Sequence, residues 1–108
     1  MERQEKHIIT WRGEQIGFLI DPVPDMWYLD GKLELLESPM AENFKSMAEK
    51  MDAREVMKNP VKGTRVTIQL EENDEPAHCL IHSLTGDDLF LKRVFDKEAV
   101  KWLIENVE

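Results

Sequence analysis

A chain of 108 residues falls in the size range of one domain, taken as 1–108, and its 42% of apolar residues, with only five glycines and five prolines, are enough for a hydrophobic core. A net charge of −8 opposes contact with phosphate backbones, so nucleic acid is not an expected partner. The lone Cys79 excludes an internal disulfide and any zinc site built on a cysteine pair, which points to a reducing, cytoplasmic setting.

No stretch approaches the roughly 18 apolar residues of a membrane-spanning helix, and the first residues lack the apolar run of a signal peptide. Neither a membrane nor export by that route is expected. The charge is uneven: residues 45–65 carry 6 Lys and Arg against 3 Asp and Glu, and form the one basic island in an acidic chain.

In chain order, residues 6–20 read as a hairpin. A β-branched and aromatic run from His7 to Trp11 breaks at Arg12-Gly13-Glu14, and Ile16, Phe18 and Ile20 then alternate onto one face. The segment DPVPD, residues 21–25, is expected to end the second strand. A second hairpin is expected in residues 25–36, turning at Asp30-Gly31, because both positions of a tight turn favour residues that accept a positive φ. That register puts Met26, Tyr28, Leu33 and Leu35 on one face and leaves Trp27, Leu29, Lys32 and Glu34 on the other.

Ser38-Pro39 is a helix start, with Ser38 as N-cap and Pro39 where a missing N–H costs nothing. Met40, Phe44, Met47, Ala48 and Met51 recur at spacings of three and four and form one apolar stripe. Asp52-Ala53-Arg54-Glu55 has the spacing of a capping box, so residues 39–58 form either one helix or two. Alternation returns with Val66, Ile68 and Leu70. The acidic residues 71–75 then form a hairpin tip, and strands at residues 77–84 and 89–95 flank a turn at Gly86. Asp96 caps a last helix whose buried stripe is Ala99, Val100, Leu103, Ile104 and Val107, with Trp102 at its edge.

The sum is an α+β fold. A mainly antiparallel sheet of about seven strands is expected, with two N-terminal hairpins, a helical region, a three-stranded meander and a C-terminal helix, the helices packing on one face.

His78, Cys79 and His82 are the residues most suggestive of chemistry. On a helix the two histidines would share a face, but on a strand they lie roughly 13 Å apart while Cys79 points the other way, too far for one metal ion. They are read as strand residues, with His78 and His82 as the weaker alternative for a ligand site. No nucleophile, base, metal set or phosphate loop converges, so no cofactor is expected, and catalysis is the less favoured reading.

The favoured function is binding to another protein, or self-association, through Trp27, Leu29, Lys32 and Glu34, since exposed tryptophan is enriched at interface hot spots. The alternative is a small-ligand-binding protein or enzyme with a pocket between sheet and helices.

Overall fold

The computed structural model describes residues 5–59, 63–70 and 75–107. β1 (Lys6–Trp11), β2 (Glu14–Asp25) and β3 (Tyr28–Leu35) form one antiparallel meander, and β4 (Arg65–Ile68), β5 (Ala77–Thr85) and β6 (Asp88–Val94) form another. β3 pairs with β6 and β1 with β4, so the sheet closes into a barrel in the order β1-β2-β3-β6-β5-β4. Closure leaves no free sheet edge around the ring. The fold is α+β with an antiparallel sheet, as the sequence implies, but among the described residues it has six strands and not about seven.

The difference arises at residues 21–35. The DPVPD segment does not end β2; the strand continues through it to Asp25 after an irregularity between Ile20 and Val23, where Asp21 adopts φ 46°. Beyond the Lys6–Ile20 pair Asp21 still donates its N–H to the Glu5 carbonyl at 2.9 Å, and among the described residues Pro22 and Pro24 have no partner in β1, which suits residues without an N–H to donate. The chain turns instead at Met26-Trp27, with Met26 at φ 55° and Asp25 opposite Tyr28.

Asp30-Gly31 therefore lies inside one continuous strand, with Asp30 opposite Phe90 and Gly31 opposite Leu89. The first hairpin does turn where expected, at Arg12 (φ 52°) and Gly13 (φ 80°). Its face assignment shifts, because Ile16 is an extra residue between the Thr10–Gln15 and Ile9–Gly17 pairs. Ile16 and Leu19 consequently enter the core, while Phe18 lies outside with the Lys6 ammonium 5.7 Å from its ring.

The barrel interior is filled by Ile9, Trp11, Leu19, Leu29, Leu33, Val66, Ile68, Cys79, Ile81, Leu89 and Leu91. The helical region is two helices, α1 (Pro39–Glu49) and α2 (Ala53–Lys58). The Ser38 hydroxyl accepts from the Ala41 N–H at 3.1 Å, and the Asp52 carboxylate accepts from the Arg54 N–H at 2.9 Å. α1 adds Ala41, Phe44 and Ala48 to the barrel core, with Met40, Met47 and Met51 packed around it. Phe44 meets Trp11 edge-on at 5.4 Å, and the Trp11 indole N–H donates to the Thr64 hydroxyl at 2.9 Å.

α3 (Lys97–Asn106) packs elsewhere, on the outer surface of the barrel, so the helices do not share one face. Of its expected stripe, Leu103 and Val107 are buried and Ala99 and Val100 half-buried, but Ile104 is 52% exposed. Among the described residues no helix is long and apolar enough to cross a membrane. The expected hairpin tip at residues 71–75 falls mostly outside the described residues.

Candidate interaction groove

On β5 the inward side chains are Cys79 and Ile81, so Leu80 between them points out of the barrel. Val94 on β6 points out as well. These two residues give α3 its docking site: Leu80, Leu103 and Val107 form a second small core against Val94. Asp96 begins the helix by accepting from the Glu98 N–H at 3.2 Å, directly after Phe95, and the chain folds back over the sheet from that point.

Between α3 and the Met26-Trp27 turn a groove of about 680 Å³ remains open. Trp27, Phe95 and Trp102 stand around it, 50%, 64% and 42% exposed, with Leu80, Lys92 and Arg93 along its sheet side. The neighbouring Met26 is 71% exposed. Isolated exposed apolar residues are ordinary, but three aromatic side chains around one concavity are not.

Arg93 holds the Trp27 side of the groove in place. Its backbone N–H donates to the Trp27 carbonyl, its Nη2 donates to the Met26 carbonyl at 2.8 Å, and its guanidinium lies 4.9 Å from the Phe95 ring centre. The Nε of Arg93 is buried and has no hydrogen-bond partner among the described residues. Lys92 is exposed on the outer face, opposite Tyr28 on one side and Leu80 on the other. Neither cation forms an ion pair among the described residues. The carboxylate lining the groove, Asp96, is engaged in capping α3.

Beyond Lys92 on the same face, Tyr28 and Phe90 stack with ring centres 5.2 Å apart, and His82 meets both edge-on at 6.0 and 5.0 Å. His82 is the residue inserted between the Ile81–Leu91 and Ser83–Phe90 pairs.

The surface expected from the sequence is divided by the structure. Trp27 is exposed in the turn, but Leu29 is 1% exposed and belongs to the core, because β3 runs straight through Asp30-Gly31. Lys32 and Glu34 face outward yet are paired, Lys32 with Asp88 and Glu34 with Lys6 at 3.2 Å. The hydrogen bond and charge of Asp88 hold the Lys32 ammonium above its usual pKa.

The histidines do not form a common site either. His78 lies opposite Thr67 and Val94, with its Nδ1 buried and without a hydrogen-bond partner among the described residues; burial and the Arg65 charge lower its pKa, against a smaller opposing effect of Glu75. Burial pushes the Cys79 thiol up to about 12, opposed by the charge of Arg93, so it stays a thiol. Among the described residues no three His, Cys, Asp or Glu side chains are grouped to hold a metal ion.

Phe95, Trp102, Lys92 and Arg93 are the groove residues that sequence reasoning did not select. The available signal was Trp102, an aromatic at the edge of the α3 stripe, together with Phe95 immediately before an N-cap. No protein-family model matches this chain, and neither a curated protein nor a solved structure matches it.

Proposed function

We propose that this protein is a non-catalytic binding module that holds a segment of another protein in the groove between α3 and the Met26-Trp27 turn. The observation that carries the reading is the convergence of Trp27, Phe95 and Trp102 around one open concavity with Arg93 beneath them. Tryptophan and arginine are the residue types that most often dominate interface energetics, and they do so when gathered in a pocket that a partner can dry. The groove belongs to the fold and does not need a ligand to shape it: Arg93 ties the turn to β6, and the Leu80–Leu103–Val107 cluster fixes α3. Preorganisation of this kind lowers the entropy lost on binding. The buried single thiol suits a cytoplasmic setting.

The test compares tagged wild-type protein with Trp27→Ala and Trp102→Ala in capture from cells, followed by binding of the captured protein in purified form. A partner held by the wild type and lost by variants that remain folded supports the reading. Binding that ignores both substitutions contradicts it. A second reading, a small apolar ligand, is favoured by the volume of about 680 Å³, within the range of small-molecule sites. It would be chosen if small aromatic compounds, and no protein, shifted the emission of Trp27 and Trp102.

A further inference from the structure

Resting on that reading, we infer that the groove selects an acidic segment: a stretch of partner chain whose bulky apolar side chains sit against Trp27, Phe95 and Trp102 while adjacent Asp or Glu carboxylates lie over Lys92 and Arg93. The molecule carries −8 overall, yet the side chains lining the groove carry two cations and one carboxylate, and that carboxylate already accepts the Glu98 N–H.

Elsewhere on the outer face, Lys6 and Lys32 are matched by Glu34 and Asp88, whereas among the described residues neither Lys92, on that face, nor Arg93, which donates to the Met26 carbonyl and lies against the Phe95 ring, forms an ion pair. At physiological ionic strength charges more than about 8 Å away are largely screened, so the local cations, not the distant net charge, decide what is attracted into the groove. A basic segment would find acidic surface over much of the molecule and gain little by choosing this site. An acidic one is favoured here and disfavoured elsewhere, which is how charge confers specificity.

The helix side sets the orientation. Glu98 and Glu105 lie four residues before and three after Trp102, so they border it along α3. Carboxylates of the partner are therefore directed toward β6 and its apolar groups toward the helix.

The experiment is selection of short peptides from a phage-displayed random library on the full chain. Representative synthetic peptides are then titrated against the wild type, Lys92→Glu, Trp27→Ala and Trp102→Ala, each first shown to be folded by circular dichroism. The expected result is a consensus of apolar residues with Asp or Glu. Affinity should fall about tenfold in Lys92→Glu, recover when Lys replaces the peptide carboxylate, and decline as salt is raised.

A consensus without carboxylates whose binding is lost in Trp102→Ala would overturn the inference while leaving the binding groove in place. So would concentration-dependent self-association abolished by Trp102→Ala. Peptides indifferent to both tryptophan substitutions, or no enrichment at all, would overturn the groove reading as well.

Discussion

Gly31 shows how one residue can carry the right information under the wrong reading. Next to Asp30 it matches the signature of a tight turn, yet its backbone is extended and its role is steric: a Cβ there would lie 2.8 Å from Leu19 Cδ1 and 3.2 Å from the Ile20 carbonyl oxygen. Leu19 is fully buried and has little room to retreat. Gly31→Ala should therefore cost about 1–3 kcal/mol through overpacking, read from urea unfolding midpoints. In the Gly31→Ala, Leu19→Ala double variant the cost should be less than the sum of the single ones, because the clash disappears with the leucine. Strict additivity would show that the glycine is needed for its backbone and not for the absent side chain. His78 offers a second measurement at this scale. Burial holds its pKa below the ordinary 6.5, so the unfolded chain takes up a proton that the folded one resists. The resulting contribution is fully present above pH 6.5 and is lost as the pH falls below it, toward the lowered folded value. Urea unfolding across this range should show stability falling on the acid side, with a flatter slope in His78→Gln; an unchanged slope would assign the acid sensitivity to other groups.

Elements defined by local chemistry were legible in the sequence, and those defined by distant partners were not. Ser38, Asp52 and Asp96 each cap a helix in the structure, and Arg12-Gly13 and Gly86 each sit in a turn, because these signals need only neighbouring residues. The Met26-Trp27 turn contains no glycine, asparagine or aspartate within it. Its left-handed Met26 is held by Arg93, which is 67 residues away in the chain, and no local pattern announces that contact. The same holds for the extra residues at Ile16 and His82, each of which shifts one strand face against its neighbour. α3 is intermediate. Its apolar stripe is visible, but which part is buried depends on the outward Leu80 and Val94, so Ile104 and Trp102 are left at the surface. Of the candidate site the sequence pointed to Trp27, but on the outer face of a hairpin turning at Asp30-Gly31, whereas the residue is exposed because it lies in the turn itself. The groove that gives Trp27 a purpose depends on β6 and α3 arriving beside it.

At the scale of the whole molecule, the ring order makes a demand on the helical region. β3 and β4 are consecutive strands, yet in β1-β2-β3-β6-β5-β4 they stand three places apart in either direction, on opposite sides of the barrel. The chain between them must cross, and α1 does so with Ala41, Phe44 and Ala48 merged into the barrel core. The stripe is thus turned onto the barrel core, with Phe44 fully buried against Trp11 and Met40, Met47 and Met51 half-buried around it. Phe44→Ala should cost about 3–5 kcal/mol, a large part of the roughly 5–15 kcal/mol that holds a typical domain together. Because the groove is built from α3, β6 and the Met26-Trp27 turn and not from α1, the loss should be global and not local. Below its lowered melting temperature the variant should bind a groove peptide with wild-type affinity, while calorimetry records a single earlier transition. A loss of less than about 1 kcal/mol would mean that α1 lies over the barrel without sealing it. A loss of peptide affinity in the folded variant would mean that the barrel core and the groove are mechanically coupled, and that the seal also tunes binding.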